Sequence, residues 1–180
     1  MKFKSFIELL QITRPPHSVV SRLDLLKTLR ERPDFHPEAS AYEHIKIVTE
    51  RLIPTEDPDL IMAGALHDLF KYDTVRINPK NGFPTCPGHD TEVAKFILRE
   101  KDVQEWIETI GANVETVANL CRDHMRFHQF DKMRKVKQDE FMSRPHWDKL
   151  EVLGAADNML AEFDINNLEK SWKWKRKNTT

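Results

Sequence analysis

The sequence predicts an all-α fold in a single domain. Apolar residues recur every three or four positions along most of the chain, as on one face of a helix, and strict alternation of apolar and polar residues is scarce. A length of 180 residues gives room for one domain with a sizeable buried core. We expect that domain to cover residues 1–169, followed by a basic, tryptophan-containing tail at 170–180.

The predicted helices follow one another with mostly short connections. The first ends before Pro15-Pro16, because proline disfavours helical backbone at the preceding residue, and Ser18 is placed to cap the second. We expect a turn at 32–40 and a long, proline-rich loop at 72–88. The apolar spacing predicts helices near 3–12, 18–32, 39–53, 58–71, 89–101, 102–110, 113–128 and 147–164.

Composition narrows the class of protein. The 28 basic and 29 acidic residues give a net charge of -1, so no charge excess indicates a nucleic-acid or membrane partner. Cys86 and Cys121 are the two cysteines, and their spacing favours a reducing compartment over a disulfide framework. No apolar run approaches the ~18 residues of a membrane span, and the first helix does not resemble a signal peptide. We therefore expect a cytoplasmic protein with no membrane partner.

Polar residues interrupt the apolar faces of four predicted helices. His44, His124 and Asp157 each fall among apolar neighbours, and His67-Asp68 ends a segment that is apolar nearly all round. A single inward histidine is common as a hydrogen-bonded core residue, but a buried carboxylate must be paired, protonated or bound to metal. If these five side chains converge, a divalent cation is the simplest partner. A purely structural polar network is the alternative.

The same spacing assigns Met125 and Leu160 to the apolar faces of their helices. Other catalytic patterns are missing from the sequence: it contains no GxSxG, no GxxxxGK[ST] and no GxGxxG. Cys86 lies in a proline-rich loop without an evident activating environment, so a thiolate nucleophile is not indicated.

Five sequence blocks, together with the pattern H…HD…D, resemble the HD-domain metal-dependent phosphohydrolases. Their order and spacing are similar to the HD portion of bacterial CCA-adding tRNA nucleotidyltransferases, from about Ser18 to Phe163. The nucleotidyltransferase head of that family is not found in this sequence, so we expect a free-standing HD module that does not add nucleotides. The blocks are HPEASAYEH (36–44), ALHDLFK (65–71), GHDTEVAKFIL (88–98), CRDHMRFH (121–128) and GAADNML (154–160).

The resemblance implies an HD-domain helical bundle with a buried metal site. In such enzymes the first His, the HD pair and the last Asp bind one metal, and many relatives hold a second through two further histidines, with the Asp of the pair bridging. Imidazole and carboxylate together suit Mn, Fe, Co, Ni or Zn better than Mg, and Mg is the alternative. The corresponding residues are His44, His67, Asp68 and Asp157 for the first metal, and His89 and His124 for the second.

The resemblance also implies catalytic roles for Asp68 and Lys71, and a catalytic role is expected for Arg126 because it flanks His124. Lys71 stands at the HDxxK spacing and would neutralise a non-bridging phosphate oxygen; the alternative is a cation at the end of a helix. Arg126 would bind phosphate through two hydrogen bonds, unless it is an ordinary surface arginine. For His36 and Glu38 we expect scaffold positions, and for Asp123 a surface position, or alternatively a hydrogen bond that orients His124 or a neighbouring ligand. His128 follows His124 by four residues, a spacing at which two helix histidines can bind zinc; the alternatives are that it borders a substrate pocket or ends the helix.

The expected function is metal-dependent phosphohydrolysis by a metal-activated hydroxide. The expected substrate is a phosphomonoester or cyclic phosphodiester of a nucleotide, of another phosphorylated small molecule, or of an RNA terminus, because relatives in the CCA-adding group are associated with 2′,3′-cyclic phosphodiesterase, 2′-nucleotidase and phosphatase activities. Trp172 and Trp174 in the basic tail would stack bases of such an RNA, or the tail is simply solvated. The alternatives are a deoxynucleoside triphosphohydrolase and a non-catalytic, metal-stabilised module that binds nucleotides or RNA.

Overall fold

The computed structural model describes residues 2–168, which form a helical bundle with one very small sheet. This confirms the all-α prediction, while the tail predicted at 170–180 lies outside the described residues. The helices are α1 (Phe6–Thr13), α2 (His17–Leu26), α3 (Ala41–Leu52), α4 (Pro58–Leu66), α5 (Lys71–Thr74), α6 (His89–Arg99), α7 (Lys101–Glu108), α8 (Val114–Phe127), α9 (Lys135–Met142) and α10 (Trp147–Asp157). Strands β1 (Arg76–Ile77) and β2 (Pro84–Thr85) pair antiparallel, and short 3₁₀ turns cover Ile53–Thr55 and Phe130–Lys132.

The centre of the bundle is α4, which packs against α3, α8 and α10, while α6 packs against α8. Residues Asp59 to Leu66 of α4 are all buried, as the nearly all-apolar sequence predicts. Side-chain oxygens of Ser40, Asp57 and Asn113 cap α3, α4 and α8 by accepting hydrogen bonds from first-turn backbone amides. The helices that carry the polar residues are therefore the ones that meet in the core.

Gly64 lets α4 approach α3 closely. A methyl group at this position would lie 2.8 Å from Leu52 Cδ1 and 3.2 Å from Thr49 Cα, so the Leu52 side chain and the α3 backbone would have to shift to accept it. Because His67 follows Gly64 by one helical turn and His44 lies on α3, this close packing brings the two histidines into contact range.

Several helices end earlier than the apolar spacing predicts. The helix predicted over 58–71 stops at Leu66, and that predicted over 147–164 stops at Asp157. Helix α2 begins after Pro16, so Ser18 lies inside its first turn and does not cap it, and its end at Leu26 leaves 27–40 irregular. Apolar residues continue past each end, for example Leu29, Leu69 and Met159, so apolar spacing alone does not mark where the helical hydrogen bonds stop.

The sequence did not predict α9 or the β1–β2 hairpin. Only Phe141 is buried in α9, so the helix lacks the repeated apolar positions on which such a prediction depends. The strands have two residues each and are largely exposed, which is too short for an alternating pattern. None of the helices between residues 2 and 168 has the length and apolar character needed to cross a membrane.

Candidate metal centre

All six predicted metal ligands meet in one buried cluster. Helix α3 supplies one histidine, the turn between α4 and α5 supplies the His-Asp pair, the first residue of α6 and the last turn of α8 supply a histidine each, and α10 ends in an aspartate. Gly88, with a positive φ of 78°, turns the chain directly before α6 and so places its first residue. The six buried residues are His44, His67, Asp68, His89, His124 and Asp157.

The first group of ligand atoms consists of two imidazole nitrogens and two carboxylates. The Nε2 atoms of His44 and His67 lie 3.3 Å apart, and each lies 3.3 Å from Asp68 Oδ2. Asp157 Oδ1 lies 2.8 Å from His44 Nε2 and 3.6 Å from His67 Nε2. Four side chains from three parts of the chain therefore surround one small volume.

The second group shares the Asp68 carboxylate. Its other oxygen, Oδ1, lies 3.0 Å from His89 Nε2 and 3.5 Å from His124 Nε2. The Nε2 atoms of His89 and His124 are 3.3 Å apart. Asp68 thus faces both groups with different oxygen atoms, which is the arrangement of a bridging carboxylate.

The hydrogen bonds of the imidazole rings fix which nitrogen is free. A backbone carbonyl can only accept a hydrogen bond, so a ring nitrogen that faces one must carry the hydrogen, and the other nitrogen of the neutral ring has a lone pair. Three rings donate from Nδ1 to the carbonyl of the residue three positions earlier: His67 to Gly64 at 2.9 Å, His89 to Cys86 at 2.6 Å and His124 to Cys121 at 2.6 Å. The fourth, His44, presents Nδ1 to Glu38 Oε1 at 2.7 Å.

These residues fit a divalent transition metal. Lone pairs on facing Nε2 atoms repel each other unless a proton or a cation lies between them. Asp68 Oδ1 is buried and has no hydrogen-bond partner among residues 2–168, which is costly for a carboxylate oxygen without a cation. Neutral imidazole held by a hydrogen bond at the opposite nitrogen, together with carboxylate, is the usual donor set of zinc, manganese, iron, cobalt or nickel sites.

Neighbouring positive charges keep the two carboxylates of the cluster ionised. Burial opposes the charge of Asp68, but His67 and Lys71 outweigh it and hold the Asp68 pKa well below its ordinary value. Asp157 is buried at the end of α10, where the helix dipole disfavours a negative charge, yet His128 and His44 hold its pKa well below the ordinary value too. Both acids are therefore ionised at neutral pH and attract cations.

The pKa values of three of the imidazoles are shifted. Burial favours the neutral ring of His44, but Asp157 and Glu38 raise its pKa to about 8. Asp68 and Asp157 likewise raise that of His67 to about 10 against the same burial. Burial lowers the pKa of His124, which is neutral and ready to bind a metal. Without metal, protons on the first group balance the carboxylates.

Lys71 lies beside the cluster in an ion-paired position. Its Nζ is 2.7 Å from Asp68 Oδ2 and 2.7 Å from Glu31 Oε1, and its side chain is buried. Burial opposes the ammonium charge, but Asp68 and Glu31 raise the Lys71 pKa above its ordinary value. Lys71 is the first residue of α5, beyond a break in the predicted helix, and it lines the cavity described below.

The irregular segment 27–40 contributes three side chains that sequence reasoning did not assign to the site. Glu31 holds Lys71, and Glu38 accepts hydrogen bonds from His36 Nδ1 at 2.9 Å and His44 Nδ1 at 2.7 Å. Burial raises the Glu38 pKa, but hydrogen bonds from His36 and His44 lower it to about 2, so this carboxylate is ionised. An irregular segment has no apolar periodicity from which the position of its side chains could be predicted. The one signal in the sequence is the presence of ionisable side chains in and next to the predicted turn.

The remaining polar predictions have mixed outcomes. The Arg126 guanidinium lies 4.8 Å from the centre of the Phe141 ring. Of the residues between 2 and 168, Arg126 is not among those that line the cavity described below. The surface position expected for Asp123 is wrong: it is buried, with His146 Nε2 at 2.8 Å and Arg144 paired to its carboxylate, because the segment before α10 covers it. His128, at the end of α8, places Nε2 2.6 Å from Asp157 Oδ2.

A cavity of about 610 Å³ opens onto the cluster. Its inner wall includes Asp68, Lys71, His124 and Asp157, so a molecule inside it reaches both groups of ligand atoms. This volume lies within the range of about 300–1,000 Å³ typical of small-molecule sites.

Comparisons with known proteins give one match. The family model described as HD domain matches residues 20–158, which is well over half of the chain and includes all six clustered residues. Searches of curated proteins and of solved structures find no match.

Proposed function

Because the chain belongs to the HD-domain family, whose members are generally metal-dependent phosphohydrolases, we propose that it hydrolyses a phosphomonoester or cyclic phosphodiester of a nucleotide or an RNA terminus. One observation carries the proposal: two imidazole pairs are joined by the Asp68 carboxylate, and Asp68, His124 and Asp157 of this cluster line a cavity large enough for a small phosphorylated molecule. The closer resemblance to CCA-adding enzymes, which suggests cyclic and terminal phosphates, stays a prediction.

The residues that would hold a first cation are His44, His67, Asp68 and Asp157, and Asp68 would share a second with His89 and His124. A divalent cation bound there lowers the pKa of coordinated water towards ~7 and stabilises charge on a phosphoryl oxygen.

The chain's own residues prepare the site for a dianionic group. Hydrogen bonds from Nδ1 hold each ring with its Nε2 directed into the cluster, so metal binding needs little reorganisation. Glu38, ionised and within 2.7 Å of His44 Nδ1, keeps that ring oriented. Lys71, fixed between Asp68 and Glu31 at the cavity wall, supplies a positive charge for a non-bridging phosphoryl oxygen.

Identification of the products tests the proposal directly: a monophosphate releases inorganic phosphate, a 2′,3′-cyclic phosphate opens to a 2′- or 3′-monophosphate, and a deoxynucleoside triphosphate releases triphosphate. The purified protein is incubated with 2′,3′-cyclic, 2′-, 3′- and 5′-nucleoside monophosphates and with deoxynucleoside triphosphates, each with manganese, cobalt, nickel, zinc or magnesium. We expect turnover of a monophosphate or cyclic phosphate, with the Asp68→Ala protein as the control for contaminating enzymes. Turnover of triphosphates alone would favour a triphosphohydrolase instead. Metal binding without turnover of any compound would favour the non-catalytic module, and full activity after chelation would rule out the mechanism.

A further inference from the structure

We propose that Phe35 forms a base-stacking platform at the mouth of the cavity, where it binds the nucleobase of a nucleotide whose phosphate lies at the His-Asp cluster. This inference rests on the proposed function and specifies its substrate class: nucleoside phosphates, with little discrimination between bases.

The first observation is an uncovered apolar rim. Phe35, Met125 and Leu160 are 52%, 38% and 45% exposed, respectively, and all three line the cavity that opens onto the cluster. The apolar spacing assigned Met125 and Leu160 to core-facing positions; instead α10 ends before Leu160, and Met125 faces the cavity. Single exposed apolar side chains are ordinary, but several around one cavity mark a binding surface.

The second observation is that Phe35 is held in place although it is half exposed. The Arg32 guanidinium lies 5.0 Å from the centre of the Phe35 ring and 5.3 Å from that of Phe83, which belongs to the hairpin loop. Asp34 fixes this guanidinium through two hydrogen bonds of 2.9 and 2.7 Å. Arg32 thus joins two loops and orients the Phe35 ring, so little side-chain entropy is lost when a ligand stacks on it.

The third observation is the division of the cavity by chemistry. Its buried wall carries Asp68, Lys71, His124 and Asp157, which suit a phosphate with a cation. Its exposed wall carries the apolar side chains of Phe35, Met125 and Leu160, next to the polar residues Gln129, Asp131 and Lys132. Phe35 belongs to the same segment, 27–40, whose Glu31 holds Lys71. A ligand with a phosphate at one end and a flat, weakly polar ring at the other matches both parts.

The nature of the rim indicates a nucleobase that is recognised by its face. Stacking on an aromatic ring tolerates every base, because each presents a π-face. Met125 and Met159, which also line the cavity, are flexible and polarisable and adapt to ligands of different shape. We therefore expect purine and pyrimidine nucleotides to bind with similar affinity.

Equilibrium binding tests the platform independently of turnover. Calorimetry compares the non-hydrolysable phosphonate analogues of adenosine 5′-monophosphate, uridine 5′-monophosphate and ribose 5-phosphate on the wild-type, Phe35→Ala and Phe35→Tyr proteins. We expect Phe35→Ala to raise the Kd of both nucleotide analogues about tenfold, as the loss of one stacking contact predicts, and to leave that of the ribose analogue unchanged. Phe35→Tyr should bind all three like wild type. The matched control is Ile77→Ala, which removes an exposed apolar side chain of the hairpin that does not line the cavity.

The outcomes separate this inference from the proposed function. Equal weakening of all three ligands, or no weakening of either nucleotide, would overturn the platform even if phosphate is released. A selective loss of nucleotide affinity in Phe35→Ala, without hydrolysis of any compound by the wild-type protein, would support the platform and overturn the hydrolase.

Discussion

The Nε2 atoms of His89 and His124 face each other at 3.3 Å, while the Nδ1 of each ring donates to a backbone carbonyl. In their neutral forms neither Nε2 atom has a hydrogen to offer the other. The contact therefore favours a cation between the rings, and Asp68 Oδ1, 3.0 Å from His89 Nε2, completes the donor set. This relationship makes metal content the first property to measure.

We expect the protein to contain at least one divalent transition metal per chain, and Asp68→Ala to lose both metal and activity, because Asp68 faces both groups of ligands. Elemental analysis and phosphate release on the same samples check this. The control is Asp59→Ala, which removes another buried acid, one paired with Lys149, and should lower stability while metal is retained. A full metal complement in Asp68→Ala would contradict the assignment.

Removal of the metal should lower the melting temperature. A metal that binds only the native state adds about 2.7 kcal/mol to the free energy of unfolding when the free metal concentration is 100 times its Kd. Differential scanning fluorimetry before and after chelation, and after metal is added back, measures the change. An unchanged melting temperature in protein that had contained metal would argue against a buried site in the core.

Lys71→Ala should retain metal but lose about 100-fold in kcat, because the ammonium beside Asp68 would no longer neutralise a phosphoryl oxygen. The substitution also leaves Glu31 without its 2.7 Å partner and should cost about 3 kcal/mol of stability. Lys149→Ala provides the comparison, since Lys149 pairs with Asp57 and Asp59 away from the cavity. The turnover of Lys149→Ala per bound metal should equal that of wild type. If Lys71→Ala also turned over substrate at the wild-type rate, Lys71 would have only a structural role.

Glu38→Gln should weaken metal affinity about 10–100-fold, because the carboxylate that orients His44 and raises its basicity is replaced by an amide. Competition with a chromogenic chelator gives the affinity. Glu43→Gln is the matched control: Glu43 is partly exposed and pairs with Lys46 one turn away. If the two variants bound metal equally well, Glu38 would not be a positioning residue.

The metal-free protein should lose stability as pH rises from 6.5 to 10. The folded pKa values of His44 and His67, about 8 and about 10, exceed the unfolded value near 6.5. Their stabilisation is therefore complete below pH 6.5 and is lost as pH rises through 8 and then 10, with His44 alone accounting for about 2 kcal/mol. The depressed pKa values of Asp68 and Asp157 act only in acid, below about pH 4.

Guanidinium denaturation of the chelated protein at pH 6.5, 8 and 9.5 measures this decline. With metal present the gain in stability should grow over the same range, since metal binds deprotonated imidazole. A chelated protein that became more stable towards pH 9.5 would be inconsistent with protonated histidines in the cluster.

Much of the candidate site follows from local pattern. His44 and His124 lie on apolar helix faces, and the spacing of those faces indicates that they point inward. Resemblance to a family was needed for His89, because the first residue of a helix has no preceding turn from which to judge its face. The buried position of Asp123 was missed because the segment that covers it comes from elsewhere in the chain.

The sequence by itself determined the helical class, the inward faces and five of the six clustered side chains, since helical period and residue type are local properties; the sixth, His89, depended on the family resemblance. Tertiary structure alone decided where α4 and α10 end, that Met125 and Leu160 border a cavity, and that Glu31, Phe35 and Glu38 approach the cluster. The physical reason is that an irregular segment has no repeating hydrogen-bond pattern of its own. Its course depends on the packed surfaces it crosses, which exist only after the helices have assembled.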